Sequence, residues 1–341
     1  MQTKHLIFGS GLIGSYLAGC FHSQKNSVYL FGRDSSKAAF ANGFTVSDLD
    51  ENYFECNDPL EFVELDTSHT FDVIWLTVKC TSVKSAVESL RSFVKPSTTI
   101  ICCQNGFGSE QIIQNAFIDN TVLSAVVGFN VVLDKKSKQA NHWHRSMDGS
   151  FIIESSAKTK NFDQHLQSKL LPVRISQDIE AERWAKLQIN LVNSVNALAG
   201  LPIKKMLENR DYRLIIAELM RELLSVTNAL GLKLPRISGV HEKYIPVIMS
   251  LPTFIFKRLA QKMLALDPQA RTSMWQDLND KRPTEVDFIN GAISNKAQEL
   301  KLNTPYNDAI TSLIKSVERG EETIGFSAEQ LKAKLKIHSQ K

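Results

Sequence analysis

The sequence lacks the cysteine pattern of a secreted, disulfide-bonded protein. Its 341 residues contain five cysteines, an odd number, and no two of them are spaced as C-x-x-C. The first residues lead directly into an apolar run, without the charged, apolar and small-residue segments of a signal peptide. We therefore expect a reducing, cytoplasmic location.

The sequence also lacks a large charge of either sign and a long hydrophobic run. It has 40 basic and 36 acidic residues, and this net charge of +4 is too small for a nucleic-acid footprint or a membrane-surface patch. No apolar stretch approaches the roughly 20 residues that span a bilayer. We expect neither a nucleic-acid partner nor a membrane partner.

What is present is enough chain for two domains with different patterns. The first third alternates short apolar runs with helical spacing, which is typical of βαβ units and a parallel sheet. After Pro172 the periodicity is almost entirely helical. We predict an α/β protein in which a Rossmann-type dinucleotide-binding domain (1–178) is followed by an all-helical substrate and catalytic domain (179–341).

The individual elements follow from the apolar spacing. Strands are predicted at 4–9, 27–31, 71–78, 98–103 and 123–129, with antiparallel strands over 130–153. Helices are predicted at 12–24, 82–93, 180–198, 211–229, 244–266 and 284–300. The fifth helix is expected to be interrupted at Pro246 and Pro252. The last opens on Thr284-Glu285-Val286-Asp287, which resembles a capping box with Asp in place of Glu.

A glycine loop joins the first predicted strand to the first predicted helix. The segment Gly9-Ser10-Gly11-Leu12-Ile13-Gly14 has the pattern G-x-G-x-x-G. Its glycines permit a tight turn, close approach to a pyrophosphate and close helix–strand packing, while the helix start supplies free N–H groups. We predict that these six residues bind a nicotinamide dinucleotide. The alternative is a glycine turn without a ligand.

The residues after the second strand bear on which dinucleotide is bound. An arginine there favours the 2′-phosphate of NADPH, whereas an acidic residue favours the ribose hydroxyls of NADH. The sequence reads Gly32-Arg33-Asp34. We predict NADPH, bound through Arg33. The alternative is that Asp34 binds the ribose and Arg33 is solvated.

A stripe of polar side chains lies along one face of the predicted helix 180–198. Lys186 and Asn190 are four residues apart and Asn193 is seven residues from Lys186, so all three share one face. A cation with amides one and two turns away suits recognition of substrate oxygens. The spacing alone also fits a surface lysine at the edge of an amphipathic helix.

The order of motifs along the chain resembles the ketopantoate reductase (2-dehydropantoate 2-reductase) family. The resemblance covers nearly the whole chain, and its most specific part is the segment TEVDFING at 284–291. The other motifs are the glycine loop, Arg33, Lys79 after the third strand, Asn105 in Q-N-G-F-G and the helix of Lys186. The resemblance implies NADPH-dependent reduction of ketopantoate to pantoate, on the route to pantothenate and coenzyme A, by hydride transfer from nicotinamide C4.

The resemblance also implies roles for individual residues. Lys186 matches the general acid and Glu285 the acidic ligand of the substrate hydroxyl. Lys79 would contact the cofactor, and Asn105 would contact both cofactor and substrate. From the residues alone, Lys79 fits a solvated strand end, Asn105 a plain N-G turn and Glu285 a glutamate that complements a helix dipole.

The remaining substrate ligands implied by the resemblance are Asn190, Asn193 and Ser273. Many family members carry K-L-x-x-N-x-x-x-N on this helix, but here the second asparagine comes one residue early and Ser194 occupies the usual place. Asn193 keeps the face of Lys186, whereas Ser194 is rotated by roughly 80°, so we assign the role to Asn193. Ser273 matches a serine that binds the substrate carboxylate, although its residue type also fits any polar helix position.

Two further functions stay open. One is a related 2-oxo acid or opine-type reductase, and the other is a non-catalytic NADP(H)-sensing protein.

We predict no metal site, because His142 and His144 share a strand face without a third ligand, and we interpret that strand as solvated. The largely apolar helical domain favours a homodimer. The expected partner is a small-molecule 2-oxo acid substrate, as the resemblance implies.

Overall fold

The computed structural model describes residues 2–65, 69–134, 141–237, 239–260 and 268–336. The chain divides into two compact units. Met1–Gln104 and Gly108–Ile179 form the first, which we call the sheet unit, and Asn105–Phe107 and Glu180–Lys341 form the second, the helical unit. Parts of two predicted elements, at 135–140 and 261–266, lie outside the described residues.

The sheet unit contains eleven described strands in two sheets. They are β1 (Lys4–Phe8), β2 (Ser27–Phe31), β3 (Phe44–Ser47), β4 (Tyr53–Cys56), β5 (Val73–Leu76), β6 (Thr99–Cys102), β7 (Thr121–Val127), β8 (Val131–Leu133), β9 (His142–Arg145), β10 (Phe151–Glu154) and β11 (Val173–Ser176). Its helices are α1 (Leu12–Ser23), α2 (Asp34–Phe40), α3 (Cys80–Arg91), α4 (Ser109–Ala116) and α5 (Phe162–Leu166).

The larger sheet has seven strands in the order β11-β10-β7-β6-β5-β1-β2. The pairings from β2 through β7 are all parallel, and β10 is antiparallel to β7. Its central strands are apolar on both faces because each face is covered by its own core. Leu6, Ile74 and Ile100 lie in one core, and Ile7, Trp75 and Ile101 in the other. The predicted α/β architecture with a parallel sheet is confirmed.

The smaller sheet has the order β4-β3-β9-β8. The antiparallel expectation for 130–153 holds where β8 pairs with β9, but β9 pairs in parallel with β3, and β10 belongs to the larger sheet. Strands β3 and β4 are absent from the predicted elements. β3 pairs antiparallel with β4 and in parallel with β9, and the second pairing joins residues almost a hundred positions apart, which no local pattern reports.

The helical unit is built from ten described α-helices. They are α6 (Ile179–Asn190), which begins at the boundary, α7 (Val192–Ala199), α8 (Ile203–Glu208), α9 (Arg210–Ala229), α10 (Ile245–Ser250), α11 (Thr253–Leu259), α12 (Ser273–Asn279), α13 (Val286–Glu299), α14 (Pro305–Glu318) and α15 (Ala328–Lys334). The predicted all-helical character is confirmed. Among the described helices, none is both long and apolar enough to cross a membrane.

Three helix predictions need correction. The predicted helix 180–198 is two helices, because the run ends at Asn190 and resumes at Val192, so Asn193 lies on α7 and not on the helix of Lys186. Leu191 between them keeps right-handed helical angles (φ −62°, ψ −20°). Pro246 lies in the first turn of α10 and does not interrupt it, since a first-turn proline gives up no intrahelical hydrogen bond.

The predicted capping box at 284–287 is also wrong. The Thr284 hydroxyl accepts from the Val286 N–H at 3.3 Å, but the Thr284 N–H donates to Glu318 Oε1 at 2.7 Å. Asp287 instead pairs with Lys315, 2.7 Å away. A side chain from α14 therefore replaces the local partner, and α13 begins at Val286.

Candidate active site

The glycine loop has a geometry that side chains at two positions would prevent. Gly9 has φ +118°, and an added Cβ would lie 2.8 Å from the Val78 nitrogen. A Cβ at Gly14 would lie 1.9 Å from the Gly9 carbonyl oxygen. The Thr77 hydroxyl donates to that same oxygen at 2.6 Å. The loop is thus fixed against the carboxyl end of β5.

Gly11 differs from those two glycines because space lies beside it. A Cβ built there would meet no described atom within 4 Å. Helix α1 begins at the next residue, with no acidic residue in its first turn and no capping side chain in the part of the chain described. Its first N–H groups are therefore free to bind an anion. These features fit the pyrophosphate of a dinucleotide.

The end of β2 lies against the glycine loop. A Cβ at Gly32 would come within 1.8 Å of the Ser10 hydroxyl, so only glycine permits this approach. Arg33 follows as the N-cap residue of α2, and both Arg33 and Asp34 are exposed. The geometry keeps both as candidate ligands of an adenosine ribose.

Two polar residues follow the carboxyl ends of β5 and β6: Lys79, which was predicted as a cofactor ligand, and Gln104. Lys79 is exposed and is the N-cap residue of α3, which begins two residues earlier than predicted. Gln104, which the sequence argument did not single out, donates from Nε2 to the carbonyls of Leu76 (2.7 Å) and Val78 (3.0 Å). It thereby ties the two strand ends together. Its position directly after a buried strand is the signal that would have found it.

In the helical unit, the structure brings Asn105 and Glu285 together. Asn105 Nδ2 donates to Glu285 Oε2 at 3.4 Å. The two following residues are held by α13, since the Phe107 N–H donates to the Phe288 carbonyl at 3.0 Å. Gly106 has φ +75°, and a Cβ there would lie 1.8 Å from that carbonyl oxygen. Glycine at 106 is therefore required by both its backbone angle and its neighbour.

The helix α6 carries Lys186 and Asn190 on one face. Both residues are half-buried. Asn190 Nδ2 is buried and has no hydrogen-bond partner among the described residues. On α7, Asn193 is half-buried, whereas Ser194 is fully buried and donates to the Leu191 carbonyl at 3.2 Å. The Ser194 hydroxyl is thus already used within the fold.

Ser273 is the first residue of α12 and is exposed. Its position is set by the preceding Thr272, whose N–H and hydroxyl both donate to Asn196 Oδ1 at 3.1 Å. Within the described residues, no hydrogen bond joins Ser273 to Asn105 or Glu285. The roles of all the predicted site residues stay predictions.

Arg183 is a residue that the sequence argument did not assign. It lies one turn before Lys186, and its Nη2 donates to the Gly106 carbonyl at 2.9 Å. Its guanidinium also lies 4.1 Å from the centre of the Phe107 ring. The three-residue spacing from Lys186 placed it on the same stripe and was the available signal.

The histidine pair of β9 is not solvated as interpreted from the sequence. The Ser47 hydroxyl lies 2.6 Å from His142 Nε2 and 2.8 Å from His144 Nδ1. The His142 side chain is 16% exposed, and burial lowers its pKa. The described residues contain no group of three potential metal ligands. The pair is held by a hydroxyl in the smaller sheet.

Comparison with known proteins covers both units. Residues 5–157 match the family model described as ketopantoate reductase PanE/ApbA, and residues 178–318 match its C-terminal counterpart. A 2-dehydropantoate 2-reductase of Streptococcus pyogenes serotype M3 is 24% identical over 326 residues, which cover 92% of this chain and 97% of that protein.

Solved structures share the fold. A structure described as a dimeric ketopantoate reductase from Staphylococcus aureus is 25% identical, covers 94% of this chain and 100% of its own, and has a TM-score of 0.71. A D-mandelate dehydrogenase with NADH and anilino(oxo)acetate is 21% identical, covers 93% of this chain and 99% of its own, and has a TM-score of 0.73. The same scaffold therefore serves more than one reaction.

Proposed function

The chain belongs to the ketopantoate reductase family, and on that premise we propose that it is an NADPH-dependent 2-dehydropantoate 2-reductase that converts ketopantoate to pantoate. One observation carries the proposal. The Asn105 amide and the Glu285 carboxylate meet at 3.4 Å in the unit that also presents Lys186 and Asn190 on one helix face. The curated relatives that match nearly the whole chain support the same reaction.

The sheet unit would hold the cofactor. Bound NADPH would supply the hydride from its nicotinamide ring. The free N–H groups at the start of α1 and the space beside Gly11 suit the pyrophosphate, and Arg33 would pair with the 2′-phosphate. Lys79 and Asn105 would add polar contacts to the dinucleotide.

Lys186 would act as the general acid. As the 2-oxo carbon of the substrate is reduced, negative charge develops on its oxygen. An ammonium group stabilises that charge and delivers the proton, which yields the hydroxyl of the product. Glu285 would accept a hydrogen bond from this hydroxyl and place a negative charge opposite Lys186.

The amides would orient the substrate. Asn105 is oriented by Glu285, and Asn190 Nδ2 is a donor whose hydrogen bond a substrate oxygen would complete. We assign the second amide of the helix pair to Asn193, because the Ser194 hydroxyl is buried and bonded to a backbone carbonyl. The exposed hydroxyl of Ser273 would bind the substrate carboxylate.

A second candidate is reduction of a different 2-oxo acid. It is favoured by the fold shared with a D-mandelate dehydrogenase that was solved with NADH, and by the shifted asparagine at 193. A protein that only senses NADP(H) is less well supported, since it has no need of a proton donor opposite a carboxylate.

The test is the loss of NADPH absorbance with ketopantoate, run beside pyruvate, 2-oxoisovalerate and phenylglyoxylate, and repeated with NADH. Turnover that is selective for ketopantoate and NADPH supports the proposal. Selective turnover of phenylglyoxylate or of another acid moves the function to the second candidate. NADPH binding without turnover of any acid moves it to a sensor.

We further propose a cytoplasmic homodimer. The S. aureus neighbour is described as dimeric, and all five cysteines are buried and free, as in a reducing compartment. Static light scattering across a concentration series gives the mass of the assembly. A constant monomer mass contradicts the dimer.

A further inference from the structure

The segment Asn105–Phe107 belongs to the helical unit although the residues on either side of it belong to the sheet unit. Hydrogen bonds hold it there, and three of them join described residues of the helical unit. Asn105 reaches Glu285, Phe107 N–H reaches the Phe288 carbonyl, and Arg183 reaches the Gly106 carbonyl. The first two come from the region of α13, but the third comes from α6. Arg183 therefore links this segment to the helix that carries Lys186.

The geometry around Arg183 suits a rigid link. Its Nη2 donates to the Gly106 oxygen at 2.9 Å, and its guanidinium lies 4.1 Å from the centre of the Phe107 ring. Trp184 also packs on Phe107, and the two ring centres are 4.5 Å apart. A planar cation both stacks on the ring and directs an N–H at the carbonyl, which the ammonium group of a lysine cannot do at once.

The spacing of residues on α6 connects Arg183 to the proposed catalytic residue Lys186. Arg183, Lys186 and Asn190 follow at intervals of three and four, so they share one helix face. A shift of the segment along that face would change the separation between the Asn105 amide and the Lys186 ammonium. Both groups are assigned to the substrate oxygens in the proposed function, on which this step rests.

We infer that Arg183 is a positioning residue, which sets the place of Asn105 relative to Lys186 by clamping Gly106 and Phe107 onto α6. It acts through Asn105 and does not touch the substrate. Loss of the clamp lowers kcat, because a displacement of about 1 Å at a reacting group costs up to about 100-fold in rate. The affinity for NADPH falls much less than kcat, because the glycine loop and Arg33 are assigned most of the cofactor contacts.

The first test is kinetic. Arg183→Met should lower kcat for the preferred 2-oxo acid by about 10- to 100-fold with a much smaller change in Kd for NADPH, and Arg183→Lys should lie between it and wild type. Because Arg183 acts through Asn105, its substitution should cost little more in an Asn105→Ala background. The inference is overturned if the losses in kcat from Arg183→Met and Asn105→Ala are fully additive in the double variant. It is also overturned if Arg183→Met folds and keeps the wild-type kcat.

Arg213 supplies a matched control. Its guanidinium also lies 4.1 Å from a phenyl ring, that of Phe256, and donates to the carbonyls of Leu207 (2.9 Å) and Met249 (3.0 Å). It lies among α8, α9 and α10 rather than at the Asn105 segment. Arg213→Lys should lower Tm and leave kcat of the folded protein unchanged. If kcat fell as much in Arg213→Lys as in Arg183→Met, Arg183 would be a residue that only stabilises the fold.

The second test needs no turnover. Hydrogen exchange at the Phe107 amide, which donates to the Phe288 carbonyl, should be faster by about tenfold or more in Arg183→Met and unchanged in Arg213→Lys. Unchanged exchange in Arg183→Met overturns the clamp. If the wild-type protein reduced no 2-oxo acid, the proposed function and the kinetic role would both fail, and exchange would still decide whether the clamp exists.

Discussion

Asn105 Nδ2 donates to Glu285 Oε2 at 3.4 Å, although the two residues are 180 positions apart in the chain. The contact fixes which way the Asn105 amide points, because its NH₂ group faces a carboxylate. In the proposed function, the amide is therefore oriented before substrate arrives, and groups positioned in advance lower an activation barrier.

Glu285→Gln separates the charge of this pair from its hydrogen bond. The glutamine amide oxygen still accepts from Asn105, so we expect an unchanged Tm. The negative charge that the proposed function places opposite Lys186 is lost, and kcat should fall by about 10- to 100-fold, roughly the 1.5–3 kcal/mol of a charged hydrogen bond.

The control for Glu285→Gln is Asp287→Asn. Asp287 lies in the same helix turn but pairs with Lys315 at the surface, and both partners are 40% exposed or more. A pair of that kind contributes at most about 1 kcal/mol, so activity should stay near wild type. Equal kinetics for the two variants would remove Glu285 from the site.

Lys186→Met tests the proton donor. The variant keeps the length and the apolar stem of the side chain but loses the ammonium group, and general acid catalysis contributes about 100- to 10,000-fold. We expect kcat to fall within that range while NADPH still binds, measured by fluorescence titration. Lys296→Met, which removes a surface ammonium paired with Glu299, should change neither quantity. Near-normal turnover in Lys186→Met would exclude the assignment.

Gly11→Ala and Gly14→Ala should fail in different ways. A methyl group at 11 meets no described atom, so the variant should fold with an unchanged Tm but lose about tenfold or more in NADPH affinity, because the methyl group occupies the ligand space. A methyl group at 14 would lie 1.9 Å from the Gly9 oxygen, and Tm should fall. Normal NADPH binding in Gly11→Ala would contradict the cofactor site.

Arg33→Ser tests the choice of cofactor. If Arg33 binds the 2′-phosphate, KM for NADPH should rise by about 10- to 100-fold while KM for NADH stays the same. Arg91→Ser, an exposed arginine of the same unit that lies over Phe117, serves as the matched control. A rise in KM for NADH in Asp34→Ser, with no effect of Arg33→Ser, would assign the ribose to Asp34 instead.

His5 predicts how stability depends on pH. Its ring is buried in β1 and accepts a hydrogen bond from Trp75 Nε1 at 3.1 Å. Burial lowers its pKa to about 4, with a partial opposing effect from Asp72. In the unfolded chain the pKa is about 6.5, so the unfolded state binds the extra proton between these values. The free energy of unfolding should therefore fall as pH falls from 6.5 to 4, by up to about 3 kcal/mol.

Urea unfolding of wild type and His5→Asn at pH 7 and pH 4.5 measures this contribution. Asparagine retains an acceptor for Trp75 but does not titrate in this range. The difference in stability between the two pH values should be smaller in the variant by about 2 kcal/mol. Parallel pH profiles would show that His5 does not titrate as its burial indicates.

The elements that the sequence predicted best are those with strong local signals. The glycine loop, β1, α1 and β2 lie where the apolar period and the turn residues place them. The prediction of the second sheet was incomplete because β3 and β4 are four-residue strands and β9, which pairs with β3, is distant in sequence. A short strand far from its partner carries too few residues for a period to show.

The candidate site was predicted in a similar, uneven way. The face shared by Lys186 and Asn190 follows from spacing on one helix, but the break at Leu191 moved Asn193 to the next helix. The family resemblance assigned a role to Asn105 and to Glu285 separately but did not predict the hydrogen bond between them, since no local pattern relates residues so far apart. The spacing places Arg183 on the same helix face as Lys186, but its contact with Phe107 could not be predicted from the sequence.

The separation between Asn105 and Glu285 also has a consequence for biosynthesis. At about 5–20 residues per second, a ribosome needs roughly 10 to 40 seconds to add the residues that lie between them. Throughout that interval the sheet unit can complete its strands while Asn105 has no partner carboxylate. A nascent chain of this protein would thus have all the residues of its sheet unit well before the Asn105–Glu285 contact can form, so the two units become available for folding at different times.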